Sequence, residues 1–206
     1  MTRRQWIISG AAALAAVIAS IIYFRELPDM MAIHFSLTDK PDRYVHKGVG
    51  AFLLPVIILL LPALSRLNMK LEQDPAKRNR FGDVSETINI VMILLLLAIH
   101  VVLLAYNLGY DIIRHSRFAP LAVGLVLIAI GNVLPRAPQS ALKLYRMTDE
   151  QYTRYTRFNG RFMVIAGFLL LLSALLPGQG AVYFVFAVIA ALTVTAVGSS
   201  FYFSRK

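Results

Sequence analysis

Apolar stretches long enough to cross a membrane recur along this chain, and they constrain its fold more than any other feature. A helix needs about 20 mostly apolar residues to cross a hydrocarbon core of about 30 Å. Six such stretches run over residues 6–24, 48–65, 85–106, 118–134, 162–176 and 181–203. The sequence therefore predicts an all-α fold, a polytopic membrane helical bundle of about six transmembrane helices. The lipid bilayer is its first expected partner.

The basic residues are distributed unevenly between the two sides of this predicted topology. If the N-terminus is cytoplasmic, fifteen of the 21 Lys and Arg residues fall on the cytoplasmic side and six on the other. Because cytoplasmic loops of membrane proteins are enriched in Lys and Arg, this distribution predicts that both termini are cytoplasmic. The net charge of +10 follows from these loops, so we expect no nucleic acid partner.

Two segments outside the predicted spans are large enough to carry a specific function. The external loop 25–47 belongs to an N-terminal two-helix unit, residues 1–66, and the cytoplasmic segment 136–161 belongs to a four-helix unit, residues 85–206. The chain has no cysteine, which excludes disulfides, thiolate nucleophiles and cysteine metal sites. It also lacks the nucleophile elbow, the phosphate loop, the dinucleotide fingerprint and the HExxH motif. We therefore expect a non-enzymatic protein without a cofactor.

The external loop is dense in polar groups that a simple connector does not need. Alternation over 32–37 places Ile33, Phe35 and Leu37 on one face of an extended segment, and 39–42 has the residues of a tight turn. Acidic and basic residues balance, so shape and hydrogen bonds must provide any recognition. The candidate ligand-binding residues are His34, Asp42, Arg43, Tyr44 and Lys47.

Two other interpretations of this loop remain open. One is a solvated connector. The other is a divalent metal site, because oxygen and nitrogen ligands of the right chemistry are present. Its ligands would come from Glu26, His34, Asp39, Asp42 and His46.

The cytoplasmic segment predicts a helix that runs directly into the fifth span. Thr148 and Gln151 have the spacing of a capping box, which places the start of the helix at Thr148. At 100° per residue the aromatic side chains and the arginines occupy neighbouring faces. The aromatic face holds Tyr152, Tyr155, Phe158 and Phe162, and the arginine face holds Arg154, Arg157 and Arg161. Either the arginines meet anionic lipid headgroups, or the helix is a docking face for a cytoplasmic regulator protein.

Four residues with a carboxylate, carboxamide or imidazole side chain lie within the predicted spans, where burial of such groups in hydrocarbon is costly. They are Glu86, Asn89, His100 and Asn132. We expect Asp83 and Glu86 to cap the third span, and Asn89 and Asn132 to form hydrogen bonds between helices. His100 lies in mid-span, where it is either a neutral core histidine or a proton or ligand site.

Two groups of motifs together resemble one family of bacterial membrane proteins. The pattern Leu27-Pro28, Ile33-His34-Phe35, Pro41-Asp42-Arg43-Tyr44, Lys47 and Pro55 resembles the N-terminal domain of unknown function at the head of SdpI-type proteins. The later pattern Gly131-Asn132, Pro135, Tyr152, Arg157 and Gly167-Phe168 looks like their GNxxP motif and the spacing that follows it. Two departures are clear. Ala32 stands in place of the usual proline, and the R-T-P-W element is absent from 142–147.

The resemblance implies a multi-pass protein of the bacterial plasma membrane. The protein that gives the family its name protects its own cell against a secreted toxin peptide and holds a cytoplasmic repressor at the membrane. The resemblance thus implies immunity or toxin resistance through the external loop, with signalling through the cytoplasmic segment. The alternatives are a small transporter or ion pathway that uses His100, and a metal-dependent membrane enzyme built on His34, Asp42 and His46.

Overall fold

The computed structural model describes residues 3–36, 38–70, 74–110, 115–139, 147–176 and 180–205. Seven α-helices and one two-stranded antiparallel sheet lie within these ranges. In chain order the elements are α1 (Arg3–Tyr23), β1 (Met30–Phe35), β2 (Pro41–His46), α2 (Lys47–Gly50), α3 (Leu53–Lys70), α4 (Pro75–Asn107), α5 (His115–Val133), a 3₁₀ turn (Leu134–Arg136), α6 (Asp149–Ser173) and α7 (Gly180–Ser204).

Helices long and apolar enough to cross a membrane dominate the part of the chain that the structure describes. The five apolar segments are Arg3–Tyr23, Lys47–Leu67, Pro75–Asn107, Ser116–Arg136 and Gly180–Ser204. Only 22% to 28% of the most apolar window of each segment is buried inside the protein, so most of the apolar side chains face outward. Such extensive exposed apolar surface suits lipid and not water. The predicted fold class, a helical membrane bundle, is confirmed.

One further long helix, α6, is not among these five apolar segments, and its two halves differ in composition. The capping box predicted at its start is confirmed, because Thr148 N donates to Gln151 Oε1 over 2.7 Å and Gln151 N donates to Thr148 Oγ1 over 3.2 Å. The first half carries the charged residues, and the second half carries the apolar residues of the predicted fifth span. The polar first half keeps α6 outside the five apolar segments described above.

The start of α4 differs from the prediction. Asp83 and Glu86 were expected to cap this helix, but α4 begins at Pro75 and both residues lie inside it. The Asp74 carboxylate accepts a hydrogen bond from Ala76 N over 2.9 Å. Aspartate is among the best N-cap residues, and proline at the first helical position is already held at a helical φ. This earlier Asp-Pro pair therefore starts the helix, and the expectation for Asp83 and Glu86 was wrong.

The helices pack in two groups. α1, α3 and α4 pack together around Ala12, Ile58 and Ile93, and α5, α6 and α7 pack together around Leu170 and Val185. α4 also contacts α5, and this contact joins the two groups.

Two serines of α1 compensate for two prolines of the second apolar segment. Proline has no N–H, so Pro62 cannot donate to the carbonyl oxygen of Ile58 four residues earlier. The Ser9 hydroxyl donates to this oxygen over 2.6 Å. Ser20 donates in the same way to the carbonyl oxygen of Ala51, over 2.6 Å, four residues before Pro55. Both serines are completely buried, and their bonds fix the position of α1 against α3.

Glycines allow the backbones of α5 and α6 to touch. A Cβ atom on Gly131 would lie 2.6 Å from the carbonyl oxygen of Gly160, and one on Gly124 would lie 2.8 Å from that of Gly167. Real side chains do not approach a backbone so closely, so these positions require glycine. A Cβ atom on Gly160 would also lie 3.2 Å from the Pro135 ring. The glycine and the proline of the GNxxP pattern thus meet the same residue of α6, which is a packing role.

The pairing of Ser9 with Pro62 can be tested by a double-mutant cycle. We expect Ser9→Ala to lower the free energy of unfolding by about 1 kcal/mol, because it leaves the Ile58 carbonyl without a donor. In a Pro62→Ala background the same change should cost much less, since the substituted alanine brings an N–H that can donate to Ile58. Detergent titration of the purified protein measures these free energies.

Thr193→Ala is the matched control for this cycle, since Thr193 donates only to Ile189 within α7. If Ser9→Ala lowered the free energy of unfolding equally in the wild-type and Pro62→Ala backgrounds, the serine would not be compensating for the missing N–H of the proline.

Candidate functional site

The loop between the first two apolar segments is a β-hairpin. Ala32 pairs with Tyr44, His34 with Arg43 and Phe35 with Pro41, which confirms a short extended segment in this loop. The predicted turn at 39–42 was partly wrong, because Pro41 and Asp42 belong to β2. The chain turns earlier, at Asp39, whose φ of 60° is a left-handed conformation that Asp tolerates better than most residues. Proline then takes the first position of the strand, where its missing N–H is tolerated.

Asn107, at the end of α4, holds β1 on the bundle. Ala32 N donates to Asn107 Oδ1 over 2.8 Å, and Asn107 Nδ2 donates to Ala32 O over 3.0 Å. The same Nδ2 atom donates to Leu103 O over 2.8 Å within α4. The amide therefore satisfies both backbone groups of Ala32, which is only 2% exposed. Sequence reasoning missed Asn107, because an asparagine near a helix end is also a common capping residue.

Asp39 connects the hairpin to the second group of helices. Its carboxylate accepts hydrogen bonds from Ser116 N over 2.6 Å and from Ser116 Oγ over 2.8 Å. Ser116 is the second residue of α5, where backbone N–H groups have no partner in the helix and negative charge is favoured. The hairpin is thus tied to α4 by Asn107 and to α5 by Asp39.

Lys47 is occupied within the hairpin base. Its ammonium group lies 2.9 Å from Asp29 Oδ1, donates to Leu27 O over 3.4 Å, and lies 5.3 Å from the centre of the Phe24 ring. The hydrogen bond from Lys47 and its charge hold the pKa of the Asp29 carboxyl below its usual range. With its side chain only 19% exposed, Lys47 stabilises the entry to the second span and offers little surface to a ligand.

The exposed face of the hairpin brings predicted ligand-binding residues together. His34 Nδ1 lies 2.5 Å from Asp42 Oδ1, and the side chains are 59% and 44% exposed. Arg43 faces His34 in the strand pairing, and Tyr44, next along β2, is also exposed. We use the name hairpin face for these four exposed residues, His34, Asp42, Arg43 and Tyr44, of which His34 and Asp42 are in direct contact.

Two of the five residues proposed as metal ligands, Asp39 and His46, have other partners. His46 Nδ1 accepts a hydrogen bond from Gly48 N over 3.1 Å and so caps α2, while the Asp39 carboxylate is bound to Ser116. His34 and Asp42 are left as a pair. Among the residues that the structure describes, no three His, Asp or Glu side chains lie close enough to hold a metal ion.

His100 joins α4 to α1. It is completely buried, and its Nε2 atom lies 3.1 Å from both Ser20 Oγ and the Ala16 carbonyl oxygen. Since a carbonyl oxygen only accepts and Ser20 donates its own proton to Ala51, Nε2 carries the histidine proton. The Nε2–H group of His100 thus contacts α1, which is a role in helix packing.

The other intramembrane polar residues differ in their surroundings. Asn89 is buried and its Oδ1 accepts a hydrogen bond from Ser65 Oγ over 2.9 Å, which confirms the predicted bond between helices. Asn132 is exposed on α5 and Glu86 is half-buried on α4. The structure therefore does not bring Glu86, His100 and Asn132 together into one polar path.

Two of the candidate residues at the start of α6, Tyr152 and Arg154, have partners within the protein. The Tyr152 hydroxyl donates to Pro138 O over 3.4 Å, and burial raises the pKa of this phenol. Arg154 pairs with Glu150 one turn earlier, over 2.5 Å. Arg157 and Arg161 are exposed, so they remain accessible to a partner or to lipid headgroups.

Comparison with known proteins places similarity on the segment that contains the hairpin. Residues 11–59 match the family model described as a domain of unknown function, DUF1648. This segment covers most of α1, the hairpin and the start of α3. The chain is also similar to the uncharacterized membrane protein YbgB of Bacillus subtilis (strain 168), with 35% identity over 57 residues. The match covers 28% of this chain and 63% of YbgB, less than two thirds of that relative. No solved structure matches the chain.

The attachment of the hairpin by Asn107 gives a testable prediction. Asn107→Leu leaves the buried N–H and carbonyl of Ala32 without partners, which costs about 2 kcal/mol. We expect amide hydrogen exchange in β1 to become about 30-fold faster, because local opening is favoured by this amount. Hydrogen–deuterium exchange followed by mass spectrometry of peptides from the purified protein measures this change.

Asn132→Leu provides the control, since it removes an exposed asparagine from α5. Exchange in α1 and α3 should not change in either variant. Unaltered exchange in β1 of Asn107→Leu would mean that the amide does not hold the hairpin.

Proposed function

We propose that this chain is an SdpI-like protein of the bacterial plasma membrane that protects its cell against a secreted peptide toxin. The peptide binds on the external side at the hairpin face. The observation that carries this proposal is a polar, exposed hairpin attached to a membrane bundle by the hydrogen bonds of Asn107 and Asp39. A connector that only joined two spans would not need these attachments.

The hairpin face has the chemistry to recognise a peptide. His34 and Asp42 form an exposed pair, Arg43 adds a cation, and the half-exposed Tyr44 ring adds apolar contact area with a polar tip. Aromatic and arginine side chains are typical of the residues that dominate binding energy. Because the hairpin is held in place before binding, little conformational entropy is lost when a ligand arrives.

The outer edge of β2 offers a second element of recognition. β1 is covered on its outer side by the Asn107 amide at Ala32, whereas β2 pairs only with β1 among the described strands. An extended peptide can add to such an edge through backbone hydrogen bonds, with neighbouring side chains giving specificity. Asp42, Arg43 and Tyr44 lie along this strand.

The external position of the hairpin is supported by both the charge distribution and the contacts. The hairpin joins α1 to α2, and it is bonded to the end of α4 and the start of α5. These helix ends therefore share one side of the bundle. The predicted topology puts fifteen of the 21 basic residues on the opposite side, and the positive-inside rule therefore supports an external position for the hairpin. Both termini are then cytoplasmic.

A cytoplasmic signalling role has less support. Arg157 and Arg161 are exposed and suit an acidic surface, but Tyr152 and Arg154 already have partners. An ion pathway through His100 also has less support, since its Nε2 atom is bound to α1. Toxin protection through the hairpin face is thus the function that the geometry supports best.

The topology can be tested directly because the chain has no cysteine. We expect Lys40→Cys, at the hairpin tip, to react with a membrane-impermeant maleimide added to intact cells. Arg157→Cys should react only after the membrane is opened, since it lies on the cytoplasmic side. Gel-shift assays of the labelled protein measure both reactions. The reverse pattern would overturn the proposed orientation.

Protection can be tested in sensitive bacteria that express the chain and are challenged with a panel of secreted peptide toxins. For a toxin that the wild type resists, we expect His34→Ala and Asp42→Ala to lower the inhibitory concentration about tenfold, equivalent to about 1.4 kcal/mol of binding. Both variants should reach the membrane at the wild-type level.

Lys40→Ala is the matched control, since it removes an exposed charge from the same hairpin outside the hairpin face. Full protection by both alanine variants would overturn the site. Absence of protection by the wild type against every peptide of the panel would overturn the function.

A further inference from the structure

An apolar cleft of about 560 Å³ lies between α4 and α5, below the hairpin. Its walls include Leu95, Ile99 and Val102 from α4 and Ala119, Ala122 and Val126 from α5. Its volume is within the range of sites that hold small ligands, about 300 to 1,000 Å³. The toxin-binding proposal shares His34 with this cleft but uses none of its apolar walls.

The polar groups of the cleft are confined to one end. Among the described residues, its polar lining consists of His34, Ser36 and Ser116, and all three lie at the hairpin. Each of the three has a partner outside the cleft: Ser116 is bound to Asp39, His34 to Asp42 and Ser36 Oγ to Thr38 Oγ1. Their side chains still make the mouth of the cleft polar. The other described lining residues have apolar side chains. A ligand that matches a polar mouth and an apolar interior has one polar end and one apolar chain.

The length of the cleft matches one leaflet of a bilayer. On α4 its lining extends from Leu103, near the hairpin, to Met92. These residues are eleven positions apart, about 16 Å along a helix that rises 1.5 Å per residue. Half of a hydrocarbon core of about 30 Å is about 15 Å. The cleft therefore begins at the membrane surface and ends near the bilayer midplane.

We propose that this cleft binds one acyl chain of a phospholipid from the leaflet on the hairpin side. The chain lies between α4 and α5, and the headgroup lies beside His34 and Ser36. Lipid surrounds both apolar segments, so the ligand is present at high concentration without a route from water. Binding comes from close packing along two helices and not from removal of the chain from water.

A peptide segment fits the same cleft less well. Beyond the mouth, its backbone N–H and carbonyl groups would meet only apolar side chains among the described lining residues. Each unsatisfied group would cost free energy. An acyl chain carries no such groups. The cleft thus favours lipid as its occupant.

The test uses the full-length protein purified in mild detergent and mixed with palmitoyl-oleoyl phosphatidylglycerol. Native mass spectrometry then counts the lipids retained per protein. We expect the wild type to retain one lipid. Ala122→Phe should retain about tenfold less, because a phenyl ring at this position overlaps the path of the chain. Leu125→Phe is the matched control, since Leu125 is exposed on α5 outside the cleft, and it should retain the lipid.

A second variant on the opposite wall keeps the proposal testable if Ala122→Phe does not fold. Leu95→Trp should also lose the lipid, whereas Val101→Trp, exposed on α4 outside the cleft, should keep it. Equal retention by the cleft variants and their controls would overturn the proposal. Loss of toxin protection in Ala122→Phe, with no lipid retained by the wild type, would also overturn it and assign the cleft to the peptide. Retained lipid together with absent protection would support the lipid site while the proposed function fails.

Discussion

The absence of water in the hydrocarbon core is the constraint on which this structure depends. A backbone group that has lost its helical partner must find another one inside the protein. Pro62 and Pro55 create two such groups, and Ser9 and Ser20 satisfy them with short hydrogen bonds. The Ser20 hydroxyl is then available as an acceptor, and His100 uses it. The prolines of the second apolar segment are thus matched by serines on α1, and one of these serines also contacts α4.

The fold class was predictable from the sequence because hydrocarbon imposes a strong and local pattern. Apolar runs, capping residues and basic loops can each be recognised from a few neighbouring residues. The capping box at Thr148 was predicted in this way. The start of α4 was missed because two plausible caps, Asp74 and Asp83, compete within ten residues. The geometry of an Asp-Pro pair decided between them.

The candidate site was only partly predictable for a different reason. His34 and Asp42 are close in sequence, and their pairing follows from a strand and a turn. Asn107 and Ser116 lie 75 and 77 residues from their hairpin partners, and no local pattern connects such distant positions. The structure also shows what depends on having alanine, and not the usual proline, at position 32. A proline at this position, as in the SdpI-type pattern, would have no N–H to donate to Asn107.

The long separation between the hairpin and its anchors has a consequence for biogenesis. A ribosome delivers residues 30–46 well before α4 and α5 exist, so the hairpin is synthesised with no partner for Ala32 or Asp39. Asn107 and Ser116 arrive only when the third and fourth apolar segments have been inserted. The order of synthesis therefore makes completion of the hairpin a late event. A chain truncated before α5 would keep the Asn107 attachment but would lack Ser116, the partner of Asp39.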